Sequence, residues 1–95
     1  MKITYSDHAE EKIRVRKIPR KTIQTVLENP DQRYYDVATN ANVAVGQAAK
    51  NRSFLMVVFT VSRAGLRIVT VYPVKDIERE TGRKVNSGRW IPVSR

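Results

Sequence analysis

Hydrophobic residues in the first third of the chain recur at helical spacing. Ser6 or Asp7 can cap a helix with acidic residues in its first turn, and this helix runs to about Lys17. Pro19 suits the first turn of a second helix, which stops before the next proline. The pattern therefore predicts a helical hairpin over residues 6–28.

After this hairpin the pattern changes to that of β-strands. Alternating or continuous apolar segments occupy residues 33–37, 43–49, 54–61 and 66–74. The joints between them are short and rich in turn-forming residues, which favours antiparallel pairing of consecutive strands. Residues 54–61 are apolar on both faces, which indicates a central strand covered on each side. We therefore predict a four-stranded antiparallel sheet.

The C-terminal region begins after the last predicted strand. Residues 75–81 have the composition of a short helix that Gly82 closes, and residues 83–95 form a basic tail with the only tryptophan, Trp90. The tail either packs back on the domain or awaits a partner. The whole pattern predicts one α+β domain over residues 1–82, in the order α-α-β-β-β-β-α, followed by that tail.

Length and composition exclude several classes of protein. A chain of 95 residues buries one core, and the absence of cysteine excludes disulfides, thiolate metal sites and thiol nucleophiles. His8 is the only histidine, so a metal site would depend on carboxylates. No apolar run reaches the length of a bilayer span and no signal peptide precedes the first helix, which predicts a cytoplasmic protein.

The charge of the chain indicates a polyanionic partner. Lysine and arginine number 18 against 9 acidic residues, which gives a formal charge of +9. This charge attracts phosphate backbones over long range. RNA is the partner that we expect, while DNA, an acidic protein and a basic surface without a ligand remain alternatives. No membrane partner is expected, because the apolar stripe of the basic helix is narrow and lacks Trp, Phe or Leu. Six basic residues lie between Lys12 and Lys21 and form the densest cationic segment.

One side of the first helix combines a histidine with two cations. A helical wheel places His8, Lys12 and Arg16 within an arc of about 140° that also holds Ala9 and Ile13. Cleavage of RNA by its own 2′-hydroxyl needs proton transfer, which histidine performs, and stabilisation of a charged phosphorane, which Arg or Lys performs. This route requires no metal or cofactor. Alternatively, Lys12 and Arg16 pack their aliphatic stems beside the sheet and His8 bonds to the backbone.

The last predicted strand supplies two hydroxyl groups. Alternation predicts that Leu66, Ile68, Thr70 and Tyr72 face one side, which brings Thr70 and Tyr72 together at the end of the strand. Both residue types are also favoured in strands for packing alone. Arg52 lies in a turn before the central strand, where it either binds phosphate or is solvated.

Several short motifs resemble the DUF4258 family over roughly residues 4–75. They are Ser6-x-His8-Ala9-x-x-Lys12-Ile13-x-x-Arg16-x-Ile18, Val26-Leu27-x-x-Pro30, the apolar central strand and Ile68-Val69-Thr70-Val71-Tyr72-Pro73. Lys12, Lys17 and Pro19 stand where the family usually has arginine, glycine and a serine cap. The family is similar to the RelE/ParE and BrnT toxins. The resemblance implies a RelE-like fold of helices against an antiparallel sheet, RNA cleavage without metal, and a cognate acidic antitoxin.

These patterns lead to one main hypothesis and two alternatives. The main hypothesis is a metal-independent endoribonuclease, the toxin of a type II toxin–antitoxin pair, that acts on RNA, free or bound to the ribosome. Its predicted catalytic residues are His8, Arg16, Arg52, Thr70 and Tyr72, and its predicted RNA-binding residues are Lys12, Lys17, Arg20, Lys21, Lys50 and Arg67. The alternatives are a non-catalytic module that binds nucleic acid or the ribosome, and a protein-interaction domain that uses Trp90 and the tail.

Overall fold

The computed structural model describes residues 2–48 and 53–93, which form three helices and one mixed sheet. Along the chain the elements are β1 (Ile3–Tyr5), α1 (Asp7–Arg16), α2 (Arg20–Glu28), β2 (Gln32–Asp36), β3 (Ala41–Gln47), β4 (Phe54–Ser62), β5 (Gly65–Val74), α3 (Ile77–Asn86) and β6 (Trp90–Val93). The strands lie side by side in the order β1-β5-β4-β3-β2-β6. The molecule is therefore α+β in class.

The predicted four-stranded antiparallel sheet is wrong, because the described residues form six strands and one pair of them is parallel. Strands β2 to β5 pair antiparallel in sequence order and make the centre of the sheet. Strand β1 pairs parallel with β5, and β6 pairs antiparallel with β2. Both added strands bond to partners far away in the chain. No local turn marks such pairs, so a reading of turn signals between neighbouring segments does not find them.

The predicted helical hairpin is also wrong as a packing unit. Helix α1 packs against β5, whereas α2 packs against β3 and β4, and the two helices make few contacts with each other. Their buried residues, Ala9, Ile13, Ile23 and Val26, all enter one apolar cluster with the side chains of β3, β4 and β5. Each helix is therefore held by the sheet rather than by the other helix. We call the side of the sheet that α1 and α2 cover the first face.

Helix α3 lies over the opposite side, the second face. Ile77 and Val85 of α3 pack against a second apolar cluster, formed by Tyr34, Val43, Val45, Met56, Val74 and Trp90. Successive residues of β4 alternate between the two clusters, with Leu55 and Val57 in the first and Met56 in the second. The continuous apolar sequence of β4 is thus explained by helices on both sides of it.

The segment that we expected to be a tail completes the fold. Helix α3 continues through Gly82 to Asn86, and residues 90–93 form β6. The chain turns away from the helix at Gly88, the residue after the cap Ser87, where φ is 81° and the N–H donates to the carbonyl of Val85 at 3.0 Å. The N–H of Arg89 donates to the carbonyl of Lys84 at 3.1 Å. This pair of bonds is a Schellman motif, in which glycine is favoured because the backbone is left-handed.

A β-bulge in β5 determines which residues face each side. Val58 of β4 pairs with Thr70, but Phe59, the next residue, pairs with Ile68, so Val69 is an extra residue. The bulge reverses the alternation of side chains along the strand. Ile68 lies in the first-face cluster and Tyr72 packs on the second-face cluster. The predicted common side for Leu66, Ile68, Thr70 and Tyr72 is therefore wrong.

Ser6 joins this bulge to the start of α1. Its hydroxyl donates to the carbonyl of Val69 at 2.7 Å and accepts from the N–H of Ala9 at 3.0 Å. Its own N–H donates to the carbonyl of Ile68 at 2.9 Å. Ser6 is thus the cap, one of the two residues that the sequence offers for this role, and it also bonds the carbonyl of the bulged residue.

Replacing Gly82 with Ala is expected to raise the free energy of unfolding by about 0.5–1 kcal/mol, because glycine inside a helix costs conformational entropy. A Cβ at this position would meet no heavy atom within 4 Å. Urea denaturation followed by circular dichroism measures the change.

The matched control is Gly88→Ala, where a Cβ also has free space but φ is 81°. The free energy of unfolding of this variant should fall by about 1 kcal/mol, because a left-handed backbone disfavours alanine. Equal effects of the two changes would contradict the placement of the helix end at Gly88 rather than at Gly82.

Candidate functional site

The second face carries an open groove beside α3. Its volume is about 310 Å³. One wall is the bulged part of the sheet, and the other is made by the end of α3, the start of β6 and the turn between β2 and β3. The lining residues are Asp36, Thr39, Ala41, Val58, Thr60, Val69, Thr70, Tyr72, Lys84, Arg89 and Trp90. We refer to this feature as the groove.

A buried carboxylate, Asp36, lies at the base of the groove with 5% of its surface exposed. Its Oδ1 accepts from the backbone N–H groups of Ala38 at 2.9 Å and Thr39 at 3.3 Å. The Nε of Arg89 donates to both carboxylate oxygens at 3.2 Å, and the Nε1 of Trp90 donates to Oδ2 at 3.2 Å. Both oxygens of Asp36 are therefore engaged by donors from the turn and from the β6 end of the chain.

The pKa of Asp36 reflects two opposing effects. Burial raises the pKa of the carboxyl group, but hydrogen bonds from Arg89, Trp90 and the backbone of Ala38, together with the charge of Arg89, lower it further than burial raises it. The net pKa lies below the ordinary value. Asp36 is thus ionised at neutral pH and serves as a hydrogen-bond acceptor for its neighbours.

Trp90 is a structural residue of this region. The residue is 4% exposed, and its ring lies 5.2 Å from that of Tyr34 with an angle of 32° between the planes. Tilted aromatic pairs of this kind stabilise a core, and the indole N–H is satisfied by Asp36. The ring is therefore not accessible as the contact that the protein-interaction alternative assigns to it.

Two cations, Lys84 and Arg89, stand on the helix side of the groove. The bond from the N–H of Arg89 to the carbonyl of Lys84 keeps their backbones together. The side chain of Arg89 is 42% exposed. Among residues 2–48 and 53–93, Nε is the only guanidinium nitrogen of Arg89 that donates a hydrogen bond. The terminal nitrogens of Arg89 can therefore donate to a ligand.

Tyr72 and Thr70 of β5 line the same groove from the sheet. Burial raises the pKa of the Tyr72 hydroxyl, Glu80 raises it further, Arg89 lowers it, and Asp36 adds a smaller increase. The phenol is consequently protonated at neutral pH and acts as a donor rather than as a base. Thr70 adds a second hydroxyl to the same wall.

The structure does not bring the predicted catalytic residues together. His8 and Arg16 are exposed and Lys12 is half-buried on α1, which packs on the first face. Thr70 and Tyr72 line the groove on the second face. The sheet lies between the two sets, so one phosphate group cannot contact both.

The remaining cations predicted on the helices have separate environments. Arg20 pairs with Glu10, and its guanidinium carbon lies 4.3 Å from the ring centroid of Tyr5. Lys21 is exposed on α2. Lys17 is exposed and follows the last residue of α1. Its φ of 54° is left-handed, a conformation that glycine adopts without strain.

Arg67, another predicted RNA-binding residue, lies beside a residue that lines the groove. It is exposed on β5 and pairs across the sheet with Thr60, a groove residue. Cross-strand partners share a face, so Arg67 extends the basic surface of the second face. Lys50 and Arg52 lie outside the described residues.

Three groove residues, Asp36, Lys84 and Arg89, were missed by the sequence reasoning. Asp36 precedes a turn whose N–H groups it accepts, which is a common role for aspartate before a tight turn. Lys84 and Arg89 lie in the expected tail. The short apolar run Trp90-Ile91-Pro92-Val93, which holds β-favouring residues, is the available signal that this segment forms a strand, and proline is compatible with an edge strand.

The chain belongs to the DUF4258 family, described as a domain of unknown function, whose model matches residues 5–73. No curated protein and no solved structure matches the chain. The matched range includes Asp36, Thr70 and Tyr72 but ends before the two groove cations. The likeness to the RelE/ParE and BrnT toxins therefore stays a prediction.

Residues 2–48 and 53–93 lack two further features, a cluster of metal ligands and a helix that could span a membrane. These ranges hold no group of three His, Asp or Glu side chains arranged to bind a metal ion. None of their helices combines the length and apolarity needed to cross a membrane.

Asp36→Asn is expected to lower the free energy of unfolding at pH 7 by about 1–3 kcal/mol, because an amide cannot replace all the bonds of the carboxylate.

The effect of this change depends on pH. The pKa of Asp36 is lowered in the folded protein, so the stabilisation by the carboxylate is present above a pH of about 4 and is lost as the pH falls through the folded pKa. The difference in stability between wild type and variant should therefore narrow in acid. Urea denaturation at a series of pH values measures it, with exposed Asp31→Asn as the control. A difference that is constant down to the lowest pH would contradict the role given to the ionised carboxylate.

Proposed function

We propose that this protein binds RNA and that the groove on the second face holds the phosphate backbone. The observation that supports this most directly is that two cations, Lys84 and Arg89, line the groove. The terminal nitrogens of Arg89 form no hydrogen bond with the residues that the structure describes. Phosphate oxygens are the ligands that such nitrogens bind most effectively.

The groove offers donors of two kinds to a phosphodiester. Lys84 and Arg89 supply charge on one wall, while the hydroxyls of Thr70 and Tyr72 supply neutral donors on the other. Arg67 continues the positive surface along β5. A strand lying in the groove would thus contact donors on both sides, and the formal charge of +9 would speed its approach.

The groove also suggests how selective the binding is. Its only tryptophan is buried against Tyr34, so no exposed indole is present for bases to stack upon. Affinity then depends on phosphate and sugar contacts, which carry little sequence information. The hydroxyl donors favour RNA over DNA, because the ribose 2′-hydroxyl can both accept and donate.

Lys84→Ala and Arg67→Ala are each expected to weaken binding of a labelled single-stranded RNA several-fold. Each should also reduce the slope of log K against log salt by about 0.7, the value for one lost phosphate contact on a single strand. Fluorescence anisotropy over a range of salt concentrations measures both quantities. A DNA strand of the same sequence tests the preference for ribose.

The matched controls remove the same charge elsewhere. Arg79→Ala changes an exposed cation of α3, and Arg14→Ala changes one of α1. Equal losses in controls and groove variants would indicate attraction by net charge alone. Losses confined to Lys12→Ala and Arg16→Ala would move the binding surface to the first face and overturn the proposal.

A second candidate function is cleavage of the bound RNA without a metal ion. The hydroxyl of Tyr72, which lines the groove together with Lys84 and Arg89, is the feature that favours it. In this reaction the 2′-oxygen attacks phosphorus and its proton passes to solvent. The bond to the 5′-oxygen breaks, and that oxygen takes a proton from Tyr72, which solvent restores. The products are a 2′,3′-cyclic phosphate and a 5′-hydroxyl, while the groove cations stabilise the charged phosphorane. The resemblance to toxins adds a cognate acidic antitoxin to this candidate.

Cleavage is tested on total RNA and on translating ribosomes in excess chelator. If the groove catalyses the reaction, Tyr72→Phe should abolish cleavage while RNA binding persists, and His8→Ala should have no effect because His8 lies beyond the sheet. Loss of cleavage in His8→Ala with full activity of Tyr72→Phe would place the chemistry on α1. Intact RNA with every variant would leave binding alone.

A further inference from the structure

Arg89 contacts Asp36 through one nitrogen of its guanidinium rather than through two. An arginine that pairs with a carboxylate often uses two nitrogens in parallel, as a fork. Here a single Nε–H group faces both carboxylate oxygens at 3.2 Å. The pair therefore leaves the two terminal nitrogens without a hydrogen bond among residues 2–48 and 53–93, and one N–H of each forms the end-on fork of the guanidinium that points away from Nε.

Asp36 is itself held in place independently of Arg89. The N–H groups of Ala38 and Thr39 fix Oδ1 from the turn, and the indole of Trp90 fixes Oδ2 from β6. The carboxylate is buried, so water does not compete for it. It can therefore act as a fixed anchor for the guanidinium.

The backbone of Arg89 is fixed as well. Its N–H donates to Lys84 in the Schellman motif, and its carbonyl accepts from the N–H of Val37 at 2.9 Å. With the backbone held at one end and Nε held at the other, the long side chain has lost most of its rotamers. A donor that is already ordered loses little further entropy when it binds a ligand.

We infer that Asp36 is a positioning residue, which presents the terminal nitrogens of Arg89 as a two-pronged clamp for one phosphodiester in the groove. The inference rests on the proposed function and names the chemistry of its site. Lys84 contributes charge beside this clamp without a fixed direction, because an ammonium group is a point charge.

The charged groups around the clamp are of both signs. Lys84 faces it from α3, and Asp36 balances one positive charge beneath it. Glu80 of α3 influences the groove at Tyr72 and also pairs with Arg83 at 3.6 Å. A simpler role for Asp36 would be to attach β6 to the sheet through Trp90, and an experiment must separate the two roles.

A double-mutant cycle on RNA binding separates them. Asp36→Asn should weaken binding of a single-stranded oligoribonucleotide about tenfold in the wild-type background, the usual size for the loss of a charge-assisted contact. In an Arg89→Ala background the same change should have no further effect. Arg89→Lys, which keeps the charge but not the fork, should lose nearly as much affinity as Arg89→Ala. All proteins are first shown to be folded by circular dichroism at the assay temperature.

Equal losses of RNA affinity from Asp36→Asn in both backgrounds would overturn the inference and leave a purely structural role.

A second measurement does not depend on RNA. NMR relaxation of the side-chain Nε–H group of Arg89 should show an ordered group in the wild type and a mobile one in Asp36→Asn. If wild type fails to bind RNA yet Arg89 is ordered by Asp36, the proposed function fails while the positioning role stands. A mobile Nε–H group in the wild type would overturn the positioning role directly.

Discussion

The buried carboxylate of Asp36 is the interaction on which the second face depends. It joins the end of β2, the turn that follows and the start of β6 through bonds to Ala38, Thr39, Arg89 and Trp90. A buried charge is tolerated only when such partners replace its water, and here they come from two places, the turn after β2 and the start of β6. Because the same carboxylate satisfies the core tryptophan and an exposed arginine, the packing of β6 and the arrangement of the groove are one structural feature.

The bulge at Val69 is the second constraint, because it decides which chemistry the groove contains. Without the extra residue, Thr70 and Tyr72 would point with Ile68 toward α1 and be buried under the helix. With it, both residues line the groove together with Lys84 and Arg89. Ser6 stabilises this arrangement by bonding the carbonyl of Val69, so the first turn of α1 supports the geometry of a site on the other side of the sheet.

Features that depend on local sequence could be predicted, and those that depend on distant pairing could not. The cap at Ser6 and the apolar segment of β4 follow from nearest neighbours along the chain. Strands β1 and β6 exist only because β5 and β2 accept them, and the bulge appears only when β5 is aligned with β4. The end of α3 was misplaced for a related reason. Two glycines could close the helix, and only packing of Val85 on the second face favours the later one, Gly88.

The two halves of the groove come from different parts of the chain, and this has a consequence for its charge. The family match over residues 5–73 covers the acceptor Asp36 and the hydroxyls of Thr70 and Tyr72. Both groove cations lie beyond it, on α3 and at the start of β6. An acceptor and two hydroxyls alone carry a negative charge and would repel a polyanion, so attraction for phosphate depends on residues 84–89. The Schellman motif at Gly88 is therefore more than a helix end. By turning the chain at that point it sets Lys84 and Arg89 side by side above Asp36, and it thereby makes the groove positive.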